Sequence, residues 1–269
     1  MSFNERLRQT VRRGHVCIGL DPVPGQLPEG VSADREGIGR FLGAIIEATS
    51  PYAVAYKPNC AFYEALGPWG WEILESLREV IPSETLFILD AKRGDVGHTA
   101  SRYAHMAFSR IGADAVTLSP YLGLDSLEPF LANPDRGAFL LCLTSNPGAR
   151  QWQTASMGGK PLYLQMAAWA RQINLLENVG LVAGATQADL IGAINEASGG
   201  LPLLIPGIGA QGGDLETAVR FAREAPYLIN SSRRILSASR DRDFADAAAQ
   251  AASDLHLAIQ KAEETLVGS

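Results

Sequence analysis

The strongest constraint on this chain is an alternation. A short apolar run is followed by a segment with apolar residues three and four apart, and the pair recurs eight times. Such runs read as buried strands and such segments as amphipathic helices. The runs are HVCIGLD (15–21), YAVAYKPN (52–59), LFILDAK (86–92), DAVTLSP (114–120), GAFLLCLTS (137–145), GLVAGA (180–185), LPLLIP (201–206) and PYLIN (226–230). Between them, Ile38, Phe41, Leu42, Ile45 and Ile46 mark one helix, and Trp71, Leu74 and Leu77 mark the next, closed by Pro82. Residues 101–112 form another, stopping at Gly112, and 123–131 a short one. Leu162, Met166, Trp169, Ile173 and Leu176 define a long helix. Residues 188–197, 215–225 and 241–266 supply the rest. Eight strand–helix units predict an α/β fold, a (β/α)8 TIM barrel, as one domain over residues 1–269. Residues 3–13 add a short N-terminal helix, with Phe3, Leu7 and Val11 on the side that covers the barrel bottom. An open doubly wound sheet is the competitor. It lacks support, because no GxGxxG follows the first strand and polar residues end most strands. In a barrel those ends converge on one mouth, which would gather Asp21, Lys57, Asp90, Lys92, Ser145, Pro206 and Arg233.

Composition narrows the partners. A formal net charge of −6 argues against broad binding to nucleic acid or an anionic membrane, while leaving room for a local anion pocket. No run has the length of a membrane span and no N-terminal stretch reads as a signal peptide, so a cytoplasmic location is expected. Cys17, Cys60 and Cys142 sit in or beside apolar runs without CxxC spacing, as buried thiols of a reducing compartment do.

The chemistry concentrates in LFILDAKRGDVGHT, residues 86–99. Charges at the exit of a buried strand are costly unless they pair or react. Asp90 and Lys92 are two apart and face the same side if both stay extended. Lys57 on the neighbouring strand and Asp95 on the following turn extend the series to Lys–Asp–Lys–Asp. Each opposite neighbour favours the ionised form, so such an array can hold a protonated lysine as a proton donor. A structural ion-pair network at the rim is the alternative. So is a Schiff-base aldolase, although that mechanism needs a neutral amine and two flanking carboxylates oppose it. GIGAQGG (207–213) between a strand and a helix is a candidate phosphate turn, and SSRRI (231–235) follows the eighth strand. Barrel phosphate sites commonly use these two loops. Arg233 can clamp a phosphate, whereas Arg234 is expected to point elsewhere, into a surface ion pair; solvated charge is the other reading of both. NPGARQWQTASMGGKP (146–161) has the polarity of a mobile active-site loop or of a surface insertion. The four histidines have no zinc-ligand spacing. A metal-free and cofactor-free enzyme acting on a phosphorylated small molecule fits these features best.

DAKRGDVGHT closely resembles the DxKxxD signature of orotidine 5'-phosphate decarboxylases. The likeness continues in GLD, VAYKPN, TSNPGA, PGIGAQGG and SSRRI, in order along nearly the whole chain. It is most similar to the longer bacterial subgroup, which carries the DAKRGD form. The resemblance implies conversion of orotidine 5'-phosphate to UMP and CO2 in pyrimidine biosynthesis, with no cofactor. It implies a charged catalytic array of Lys57, Asp90, Lys92 and Asp95. It also implies a homodimer in which Asp95 and Thr99 reach the partner's site. Asp21 would hold a ribose hydroxyl, Ser145 would contact the pyrimidine and Pro206 would border it. Gln211 and Arg233 would hold the phosphate, with the backbone of Gly209 and Ser232 nearby. Residues 149–160 match no block of the family, and Asn59 carries no family role.

Overall fold

The computed structural model describes residues 1–208 and 213–267. Among them, eight parallel strands close a barrel in sequential order: β1 (Val16–Gly19), β2 (Ala53–Lys57), β3 (Leu86–Arg93), β4 (Ala115–Leu118), β5 (Gly137–Leu143), β6 (Val179–Ala183), β7 (Leu203–Pro206) and β8 (Tyr227–Ser231), which pairs back with β1. Period-2 alternation divides each strand between two apolar clusters. Leu86 and Ile88 of β3, Ala115 of β4, Phe139 of β5, Val182 of β6, Leu204 of β7 and Leu228 of β8 pack inside the barrel. Phe87, Leu89, Val116, Leu140 and Ile229 face the surrounding helices. One step beyond the filled interior, the next inward positions stand at the C-terminal mouth, and these include Lys57, Asp90 and Thr117.

Helix α1 (Phe3–Thr10) closes the opposite end. Ser2 caps it reciprocally with Glu5, satisfying two otherwise orphaned amides. Phe3 and Leu7 are fully buried against the barrel interior, with the Phe3 ring edge-on to Phe139 at 5.9 Å. A Cβ on Gly137 would overlap the Phe3 ring, which explains a glycine at the entry of β5. The side-chain amide of Asn4 donates to the Val179 carbonyl at 3.1 Å. Nearby, Asp114 gathers Arg6, Arg78 and Arg136 at 3.0, 3.3 and 3.6 Å and accepts the Phe87 amide at 2.8 Å. One carboxylate thereby joins α1 to the lower ends of β3 and β4.

The outer ring comprises α2 (Arg35–Thr49), α3 (Cys60–Glu64), α4 (Pro68–Val80), α5 (Gly97–His105), α6 (Glu128–Leu131), α7 (Ala149–Trp152), α8 (Leu162–Ile173), α9 (Ile191–Ser198), α10 (Leu215–Ala222), α11 (Arg233–Leu236) and α12 (Phe244–Val267). Three of these depart from the sequence expectation. Helix α3 is too short to show a period and forms because Asn59 caps it, its Oδ1 accepting the Ala61 amide at 3.1 Å. Helix α8 stops at Ile173 rather than running on to Leu176. The Asn174 side chain accepts the amides of Asn178 and Val179, each at 2.9 Å, and turns the chain into β6. Residues 146–161 are not without structure: they hold α7 and a two-residue hairpin pairing Ser156–Met157 with Lys160–Pro161. Among the described residues, no helix is long and apolar enough to cross a membrane.

Phe3→Ala removes a fully buried ring of the barrel floor and should lower unfolding free energy by about 3–5 kcal/mol in urea titrations. Leu176→Ala, at a residue outside the helix and 43% exposed, should stay within about 0.5 kcal/mol of the wild type in the same measurement.

Candidate active site

A cavity of about 750 Å³ opens at the C-terminal mouth. Its walls include Asp21, Lys57, Asp90, Lys92, Ser145, Pro206, Ser232 and Arg233, so eight of the sequence-selected residues converge on one space. Asp95 and Thr99 are not among its lining residues, and the Asp95 carboxylate accepts the Val96 amide of its own loop at 2.8 Å. Gly209 and Gln211 lie outside the described residues.

Asp90 is the centre of the site. Its Oδ2 accepts from Lys57 Nζ at 2.8 Å, and its Oδ1 accepts from Lys92 Nζ at 2.6 Å. Thr117 Oγ1 adds a third bond, donating to Oδ1 at 2.8 Å. Asp90 and Lys57 are 8% and 4% exposed, whereas the Lys92 side chain is 46% exposed and borders the open cavity. Burial works against charge at Asp90, but the ammonium groups of Lys57 and Lys92 outweigh it and hold the carboxyl far below the usual range. Burial likewise opposes charge at Lys57, and the Asp90 and Asp21 carboxylates outweigh it, raising Lys57 above the ordinary lysine range. Both groups are ionised at neutral pH. A Lys57 held so firmly protonated is unsuited to Schiff-base attack.

The backbone around Lys92 differs from the extended geometry the two-residue spacing suggested. Lys92 has φ of +46°, in the left-handed region that a long side chain adopts at a cost of about 1–3 kcal/mol. Leu89 pairs with Val116 and Arg93 with Leu118, so Asp90, Ala91 and Lys92 together stand opposite Thr117 alone. This bulge re-aims Lys92, as bulges beside active sites often do. Lys92 reaches Asp90 through that bend, not through a shared strand face.

The remaining walls are fixed locally. Asp21 Oδ1 accepts the Asn59 amide at 3.0 Å, which gives Asn59 two tasks: capping α3 and orienting Asp21. Gly19 lets β1 approach Ser232, since a Cβ there would overlap the serine side chain. Ile208 bridges to Gly213, drawing together the two ends of the glycine-rich turn. Arg233 opens α11, the short helix after β8, and is exposed. Arg234 lines the same cavity rather than pointing away as expected, and it forms no ion pair among the described residues. On the far side, Gln153 Oε1 accepts the Thr144 amide at 2.7 Å, tying the loop after β5 back to its strand. Thr117 was missed in the sequence reading although the alternation Ala115–Thr117 places it inward above the filled core.

Asp90→Asn leaves the buried Lys57 ammonium without its bonded counter-charge, with only the Asp21 carboxylate nearby, and should lower stability by about 3–5 kcal/mol at pH 7. Because the folded-state value of Asp90 is depressed, its contribution is present above the unfolded carboxylate pKa and lost as pH falls below it. The gap between wild type and variant in urea unfolding should therefore shrink only below about pH 4.

Residues 14–248 match the model of the Orotidine 5'-phosphate decarboxylase / HUMPS family. The chain is 49% identical to the orotidine 5'-phosphate decarboxylase of Roseiflexus castenholzii, over 97% of this chain and 98% of that one. It is 46% identical to that of Thermomicrobium roseum, over 100% and 98%. A solved structure of Leishmania donovani OMP decarboxylase superposes with a TM-score of 0.85 at 35% identity, covering 97% of this chain and 98% of that one. A barrel whose mouth carries the Lys57–Asp90–Lys92 array, matched along nearly its whole length by such relatives, belongs to the orotidine 5'-phosphate decarboxylase / HUMPS family.

Proposed function

We infer that this chain decarboxylates orotidine 5'-phosphate to UMP and CO2. The observation that carries the reading is Asp90 bridging two ammonium groups at 2.8 and 2.6 Å, with Lys92 facing the cavity. In the reaction, the bond from C6 to the carboxylate breaks and its electron pair stays on C6. Lys92 carries the positive charge that stabilises this pair and then donates its proton to C6. Asp90 fixes the position of that ammonium and keeps negative charge beside the departing carboxylate. The stabilisation grows as charge develops on C6, which is the condition for accelerating the chemical step. No metal or organic cofactor is needed for a proton delivered by an ammonium group.

The far walls bind the rest of the nucleotide. Arg233 and the Ser232 backbone hold the phosphate, joined by Gln211 and Gly209 on the family resemblance alone, since these two lie outside the described residues; Asp21 takes a ribose hydroxyl; Ser145 and Pro206 flank the pyrimidine. Binding energy from the phosphate, remote from C6, then helps to position the base. A cavity of about 750 Å³ suits a ligand of this size.

The functional unit in this reading is a homodimer in which Asp95 and Thr99 complete the partner's site. Both residues stand outside their own cavity's lining, and Val96, Tyr121, Leu122 and Leu124 on the loops after β3 and β4 are exposed, Tyr121 at 91%. A second copy covering them would remove that apolar surface from water. The DAKRGD form of the motif is what supports assigning the chain to the longer bacterial subgroup in this reading. Residues 1–269 act as one domain, and the three free, buried cysteines suit a reducing cytoplasm.

Chelator-treated protein should consume orotidine 5'-phosphate, followed by its loss of absorbance, and turnover that needs added metal would sink the reading. Lys92→Ala should abolish turnover while UMP binding stays measurable by calorimetry. Mixing inactive Lys92→Ala and Asp95→Asn chains should restore activity to about a quarter of wild type, since random pairing leaves one intact site in each hybrid dimer. No recovery on mixing would reject the shared site.

A further inference from the structure

We propose that Thr117 is a positioning residue that sets both ends of Lys92 for proton delivery. The proposal rests on the decarboxylase reading and goes beyond its charged array. Thr117 is 1% exposed, and its hydroxyl makes two directed bonds. It accepts the Lys92 amide at 2.9 Å and donates its own proton to Asp90 Oδ1 at 2.8 Å. A hydroxyl has one proton, and an amide can only donate, so the polarity of the chain is fixed: Lys92 N–H to Thr117 Oγ1, Thr117 O–H to Asp90 Oδ1. The same Oδ1 accepts from Lys92 Nζ at 2.6 Å. The bonds therefore close a ring running from the Lys92 amide through Thr117 and Asp90 to the Lys92 ammonium.

The ring meets a specific need. The bulge takes Lys92 out of register with β4, because three residues of β3 face Thr117 alone. The Lys92 amide thereby loses a regular ladder partner, and the Thr117 side chain replaces it. Lys92 also holds φ of +46°, a conformation that persists in a lysine only where its surroundings over-determine it. Among the described residues, the Thr117 hydroxyl is the recorded partner of that amide. Shape alone does not do this: a valine would fill the space and leave the amide and Oδ1 each short of one bond.

Thr117→Val and Thr117→Ser separate the hydroxyl from the packing. In Thr117→Val, kcat should fall at least about tenfold while the Kd for UMP changes less than about threefold, because the lost interaction serves the reacting proton and not nucleotide binding. Thr117→Ser keeps the hydroxyl and should hold kcat within about threefold of wild type. A valine variant with wild-type kcat, or a serine variant as slow as valine, would overturn the proposal. So would a loss of UMP affinity as large as the loss of kcat. Wild-type protein that turns over no orotidine 5'-phosphate rejects the decarboxylase reading instead. The positioning role is then decided by a crystal structure of Thr117→Val: Lys92 should leave the left-handed region, and an unchanged Lys92 would refute it.

Discussion

One carboxylate, that of Asp90, holds the mouth of this barrel together. It is nearly buried, and in isolation it would shed its charge by protonation. Two lysines prevent that, and in return it raises the buried Lys57 above the ordinary lysine range. The arrangement is unequal in a useful way. Lys57 is buried and serves as a fixed counter-charge, whereas Lys92 is half-exposed to the cavity and free to meet a ligand. Removing a partner from such a cluster is costly, so the same contacts that tune the chemistry also tie β2, β3 and β4 to one another.

The features legible in the sequence were those governed by periodicity and by strand ends. Asp21, Lys57, Asp90, Ser145 and Pro206 sit where an apolar run gives way to polar residues, and a closed parallel sheet brings such points together whatever the helices do. What escaped was decided by single backbone angles or single side-chain bonds. The two-residue spacing of Asp90 and Lys92 suggested a shared face, but the bulge and the positive φ of Lys92 set their contact instead. Helix α8 ended early because Asn174 captures two amides, an event no hydrophobic period encodes. Thr117 read as an ordinary β-former in DAVTLSP, since its importance depends on which residue of the neighbouring strand lies opposite. Asp95 and Thr99 belong to another category: spacing along the chain grouped them with the array, but neither lines the cavity of their own chain.

The two ends of the barrel carry different physics. At the floor, Phe3, Leu7 and Phe139 exclude water, and Asp114 distributes its charge over three arginines at the rim. At the mouth, polar inward positions replace apolar ones on four strands, as Lys57, Asp90, Thr117 and Asn230, while Leu141, Val182 and Leu204 keep part of the cavity wall apolar. Cys17 lies between the two regimes; burial pushes its thiol up to about 12, and it remains a neutral part of the packing beneath the lysines.

Helix α1 has a consequence for how the molecule is made. Asn4 binds a carbonyl that lies 175 residues further along the chain, and Phe3 waits for Phe139. On a ribosome, the floor cannot be laid until β6 has emerged, so the apolar face of α1 spends most of synthesis without its seat. Contacts of such separation slow folding and leave apolar surface open to wrong partners meanwhile. An eight-residue helix is too short to hold its shape alone, so the charges of Glu5, Arg6 and Arg8 beside the apolar face are what oppose wrong association until the barrel closes over it.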